Sequence, residues 1–163
     1  MENKMNNKLV LETVNNLESA FAGESMANRK YLYFAKQCRK LGAIEIAEVF
    51  EKTAEQETAH AHGHLELLFP PKTLTIENML QMAIDGETHE YTEMYPNFRH
   101  TALQEQNSSA VKEFDEQIEE SKEHAQTFNT LLTKAAKKFG ALTKVEERHA
   151  NRYQDTLNNI KKG

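Results

Sequence analysis

One cysteine, three prolines, six glycines and no tryptophan occur in 163 residues. The lone Cys38 excludes an internal disulfide framework, and without a second thiol this sequence cannot build a CxxC iron or zinc knuckle of its own. Its spacing puts it on the apolar side of a helix, where a packed thiol is expected rather than a reactive one. So few prolines, beside 39% hydrophobic and 28% charged residues, point to a helical protein. No segment approaches the roughly 18 apolar residues of a membrane span, and the opening MENKMNNKLV lacks a signal-peptide core. A cytoplasmic chain with no membrane partner is therefore expected. Basic charge is also short: the net charge of −5 argues against nucleic acid as a partner. No Gly-rich phosphate loop, alternating strand pattern or low-complexity tract is present. At this length a single domain spanning residues 1–163 is expected, large enough to bury a core.

What the chain does contain is a three-and-four apolar rhythm, repeated segment after segment. From about Leu9 to Leu41 it runs Val14, Leu17, Phe21, Tyr31, Ala35 and Cys38, with Gly42 as a stop. From about Ala43 to Leu68 it runs Ala47, Phe50, Ala54, Ala61, Leu65 and Leu68, and Phe69-Pro70-Pro71 ends it. A third helix, capped by Thr73 or Thr75, carries Ile76, Met79, Leu80, Ala83, Met94 and Phe98 and reaches about Gln104. After a break at Gln106–Ser109, a fourth stripe covers Ala110 to Lys138 and a fifth covers Phe139 to Ile160. Gly140 either joins those two or sits inside one continuous helix. The pattern predicts an all-α fold, a bundle of long antiparallel helices.

Carboxylates interrupt the first three stripes. Glu24 lies between Phe21 and Tyr31, and Glu57 lies between Ala54 and Ala61. Glu87 and Glu90, three residues apart and so on one helix face, fall in GETHEYTEMYP. Burying such groups ionised and unpaired costs several kcal/mol each on the order-of-magnitude scale for desolvated charge, so something positive must face them. The second stripe adds His60 in Glu57-Thr-Ala-His60, and a second Glu-x-x-His occurs at Glu146-Glu-Arg-His149. One Glu-x-x-His is common by chance on surface helices, and a lone glutamate usually snorkels to solvent. Four mid-helix carboxylates in three separate stripes are another matter. A Glu from each of two helices with Glu-x-x-His from two others is the ligand pattern of a dinuclear carboxylate site. Mixed Glu/His ligation suits iron or manganese, whereas zinc would bind without redox chemistry.

At AFAGESMANRKYLYFA (Ala20 to Ala35), ETAHAHGH (Glu57 to His64) and GETHEYTEMYP, the chain resembles the rubrerythrin family, specifically its ferritin-like domain. The resemblance implies a ferritin-like four-helix bundle with an extra helical segment near the C-terminus. It further implies a non-haem site of two iron ions that reduces hydrogen peroxide to water in oxidative-stress protection. Carried over, the ligands are Glu24, Glu57, His60, Glu87 and Glu90, with Tyr31 and Tyr95 close to the irons. By analogy, Glu90 and His60 exchange as ligands when the irons change oxidation state. The four-cysteine rubredoxin domain usual in the family is not in this sequence. Electrons are thus expected from a separate donor such as a rubredoxin-like protein.

The family's fourth-helix motif falls on Ser121-Lys-Glu-His124, where serine stands in place of the ligand glutamate and Glu120 lies one residue early. FGALTKVEERHANRY (Phe139 to Tyr153) matches the pattern better. Either the site uses Glu146 and His149, with residues 108–135 an inserted helix, or it uses Glu120 and His124 with an appended tail. The first is the expectation, and such an insertion offers helix exchange as a route to a homodimer. The acidic run EFDEQIEESKEH reads as an exposed face, and His62, His89 and His100 read as solvated. The alternative function is ferroxidase or iron handling on the same ligands, which for storage needs a closed multi-subunit cage. A helical partner-binding bundle with a vestigial site is the non-enzymatic rival.

Overall fold

The computed structural model describes the backbone of residues 2–160 and the side chains of residues 12–138 and 147–152. Helices α1 (Glu2–Lys40), α2 (Ile44–Leu68), α3 (Ile76–His89), α4 (Tyr95–Gln104) and α5 (Ser108–Ile160) follow one another, with no strand among the described residues. The expected all-α class is what the chain adopts. The chain divides into two compact units, Met1–Leu74 and Thr75–Gly163.

The first unit is a helical hairpin of α1 and α2. Gly42 takes the left-handed conformation (φ 79°) that closes α1. The Ala43 N–H donates to the Cys38 carbonyl at 2.9 Å and the Gly42 N–H donates to Arg39 at 3.1 Å, so the last carbonyls of α1 are answered before the chain reverses. Cys38 is a free, half-buried thiol, as its position in the stripe implies. Along the contact, Ala47, Ala54 and Ala61 of α2 recur every seven residues and are buried, as is Ala35 of α1. Small side chains at this seam let the helices approach closely. The Asn28 amide donates across it to the Ala54 carbonyl (2.6 Å) and to Thr58 Oγ1 (2.8 Å). Tyr31 and Phe34 flank Phe50, with ring centroids 5.8 and 5.6 Å away.

The second unit folds α3 and α4 back against α5. Thr75 rather than Thr73 caps α3: its Oγ1 accepts from the Asn78 N–H, and the Asn78 side chain accepts from the Thr75 N–H. The expected single helix to Gln104 is present but widened at Glu90–Met94 into a π turn. Pro96 has no N–H to give to the carbonyl four residues earlier, and its ring crowds that carbonyl. The Tyr95 N–H reaches back instead to the Glu90 carbonyl. In an α-helix the residue five positions on is swung about 140° round the axis. The i to i+5 turn brings Tyr95 back over Glu90.

Gln106, at φ 58°, closes α4 without a glycine. Asn107 then starts α5, its side-chain oxygen accepting from the Ala110 N–H at 3.1 Å. The register of α5 on the preceding run is set by the Arg99–Asp115 ion pair and by Phe114 against Tyr95 and Phe98. Gly140 lies inside α5, which is a single helix. Residues 108–135, expected as a possible insertion, include the part of α5 packed on α3 and α4.

Because the α1–α2 seam has room only for alanine, Ala54→Leu should destabilise the full chain by about 1–3 kcal/mol in urea unfolding, the usual cost of overpacking. Ala59→Leu, on the exposed side of α2, should stay within about 0.5 kcal/mol of wild type.

Candidate metal centre

In the first unit, Glu24 of α1 faces Glu57 and His60 of α2, and one ligand atom from each lies within 4.8 Å of the other two. His60 Nδ1 is 3.1 Å from Glu57 Oε2 and 3.9 Å from Glu24 Oε2. The i, i+3 spacing sets Glu57 and His60 on one face, and the hairpin supplies Glu24 from across the seam. Both carboxylates are half-buried and the imidazole is exposed. Two carboxylates this close share a proton. A hydrogen bond with Glu57 is the main reason the Glu24 carboxyl holds its proton above the usual range, with partial burial and the Glu57 charge adding to it. Glu57, accepting from Glu24 and then from His60, is correspondingly held below that range. Three donors of carboxylate and imidazole type, two of them sheltered and sharing a proton, suit a divalent cation of the iron and manganese class.

In the second unit, α3 and α5 meet antiparallel with Glu87 opposite His124 and Glu90 opposite Ser121. His124 Nδ1 is 3.4 Å from Glu87 Oε2, and the Ser121 hydroxyl donates to Glu90 Oε2 at 3.0 Å. Glu87 Oε2 is buried and accepts no hydrogen bond. A buried carboxylate oxygen without a hydrogen bond, with an imidazole nitrogen 3.4 Å away, suits a cation shared between the two. The donor set thus fits a metal. Tyr95 packs on Phe98 and Phe114 beside these carboxylates. Its phenol is pushed up by burial first, then by the charges of Glu90, Glu87, Glu113 and Glu120.

The structure brings His124, not His149, to the α3 carboxylates. His149 is exposed and follows His124 on one unbroken helix, about 37 Å further along at the rise of an α-helix. It cannot reach the Glu87 that His124 meets in the same chain. The side chain of Glu146 lies outside the described residues. The expectation of His149 at these carboxylates therefore gives way, in the same chain, to His124. Glu120 is exposed and 3.5 Å from the Gln117 amide, with its charge acting on Tyr95. Consequently the acidic run of residues 113–124, expected as a solvated face, supplies Ser121 and His124 to the α3 contact. Glu113, the first residue of that run, acts on the Tyr95 phenol through its charge. Tyr31 packs on Phe50, two turns beyond Glu24 on the same face of α1.

The class defined by these clusters is an all-helical protein with carboxylate–histidine groups of metal-ligand type. The family model described as rubrerythrin matches residues 15–132. That span holds Glu24, Glu57, His60, Glu87, Glu90, Glu120 and His124 and stops short of His149. The chain is 35% identical over 163 aligned positions to rubrerythrin of Nitratidesulfovibrio vulgaris, covering 93% of this chain and 72% of that protein. It is 38% identical over 133 positions to rubrerythrin of Porphyromonas gingivalis, covering 74% and 66%. A solved structure, the fully reduced, all-ferrous state of nigerythrin, is 32% identical over 76% of this chain and 67% of that one, with a TM-score of 0.40. The chain belongs to the rubrerythrin family.

The Glu24 carboxyl is held above the usual range, so a cation entering the Glu24–Glu57–His60 group competes there with a proton. Mn²⁺ affinity, followed by calorimetry, should therefore rise with pH as Glu24 loses its proton, and proton release on binding should diminish over the same interval. In Glu57→Gln the Glu24 carboxyl should titrate lower, nearer its usual value, in a ¹³C NMR pH titration.

Proposed function

We propose that this chain is a non-haem diiron peroxidase of rubrerythrin type, reducing hydrogen peroxide to water in defence against oxidative stress. The observation that carries the reading is the buried, unanswered Glu87 Oε2 beside His124 Nδ1. Family membership and the Glu24–Glu57–His60 group support it. The ligands in this proposal are Glu24, Glu57, His60, Glu87, Glu90, Glu120 and His124. Two ferrous ions would supply the two electrons that reduction of one peroxide to two waters requires. Manganese or zinc could substitute in binding, zinc without the redox step.

The chain's own groups do the rest. In each unit the carboxylates would offset cationic charge and one imidazole would add a nitrogen donor. The Tyr95 phenol, disfavoured as phenolate by burial and by neighbouring carboxylates, keeps its proton at neutral pH and serves as a hydrogen-bond donor beside Glu90. Tyr31 is assigned the matching role by resemblance. A rubredoxin-like protein is the proposed electron donor. A homodimer is the proposed assembly.

Glu57→Ala should abolish iron loading and peroxide turnover together, read by metal analysis and peroxide-dependent oxidation of the ferrous protein. Full turnover in that variant would end the proposal. The double variant Glu120→Ala/His124→Ala should lose iron and turnover, whereas Glu146→Ala/His149→Ala should retain both.

A further inference from the structure

Ser121 stands where the resemblance expects a carboxylate ligand, yet it is the buried polar residue of the second unit, with 3% of its surface exposed. It lies on α5 one turn before His124, and α3 and α5 run antiparallel. Ser121 thus meets Glu90 as His124 meets Glu87. Its hydroxyl can rotate to donate, and it donates to Glu90 Oε2 at 3.0 Å. The other carboxylate oxygen, Oε1, is left to serve a cation. Glu90 is also the first residue of the π turn, its carbonyl accepting from the Tyr95 N–H. A buried donor at this point fixes a carboxylate that otherwise has several rotamers.

We propose that Ser121 is a positioning residue for the metal centre: its hydroxyl holds Glu90 in one orientation, so that Glu90 offers a cation a single oxygen. The inference rests on the diiron reading above and deepens it. Outer hydrogen bonds of this kind orient ligating carboxylates, and their loss typically costs about 10–100-fold in metal affinity. The residue touches neither peroxide nor iron.

Co²⁺ titration of the full-length chain, followed by visible absorption, tests it. Ser121→Ala should bind Co²⁺ at least about tenfold more weakly, with an altered absorption envelope, because Glu90 then presents either or both oxygens. Its thermal melting should remain near that of wild type, since only a hydroxyl is lost. Ser121→Thr, which keeps the donor, should retain the wild-type envelope and nearly the wild-type affinity. An alanine variant with wild-type affinity and envelope would overturn the inference, and so would a threonine variant as impaired as alanine. Wild-type protein that takes up Co²⁺ while the alanine variant is unchanged sinks this inference alone. A wild-type chain that takes up none sinks the diiron reading and this inference with it.

Discussion

A carboxylate oxygen withdrawn from water has to be met by a proton, a donor or a cation, and this chain shows one answer of each incomplete kind. Glu24 and Glu57 meet the demand with one another, the Glu24 carboxyl being pushed up and that of Glu57 down. Glu90 meets it with the hydroxyl of Ser121. Glu87 does not meet it at all: one oxygen is buried with an imidazole nitrogen at its side and no hydrogen bond. Protons and hydroxyls are weak substitutes for a divalent charge. The arrangement is intelligible as a set of anions waiting for one.

Local backbone geometry serves the same end. Alanines spaced by seven on α2 bring α1 near enough for Glu24 to approach Glu57 and His60. A bulkier seam would part them. In the second unit the π turn after Glu90 brings Tyr95 over the carboxylates, a placement an unbroken α-helix would refuse. The widened turn follows from Pro96, so one residue type at one position accounts for both the irregular backbone and the phenol's surroundings.

Helical periodicity made Glu24, Glu57, His60, Glu87 and Glu90 readable from the sequence, because each breaks an apolar stripe that local spacing alone defines. The α5 partner was not readable in the same way. Two stretches, around His124 and around His149, carry a glutamate and a histidine about one turn apart. The choice between them depends on how far α5 slides along α3. That register is fixed by contacts between distant residues, Arg99 with Asp115 and Phe114 with Tyr95, which leave no trace in the periodicity of either segment. The richer apolar surroundings of His149 pulled the expectation away from an acidic run that looks solvated. The π turn was equally hidden. Its cause, Pro96, is visible, but a proline near the start of a helical segment has an ordinary role as well.

Charge balance ties metal binding to folding. Glu24 and Glu57 in the first unit and Glu87 and Glu90 in the second are half-buried, and the groups beside them are one another, a serine hydroxyl and two imidazoles. Raising the pH strips the proton from the upward-shifted Glu24 and leaves its carboxylate beside that of Glu57. That repulsion is repaid only by a bound cation, so the metal stabilises the folded chain by whatever margin it prefers folded over unfolded ligands. The same repulsion favours cations of higher charge, and it would not favour an apolar partner at these faces. A purely structural bundle would gain little from Glu87, since a carboxylate oxygen buried without a hydrogen bond is worse than a hydrocarbon of similar size. That the chain keeps a carboxylate there, opposite a histidine, is the physical argument that the position serves a ligand rather than the fold.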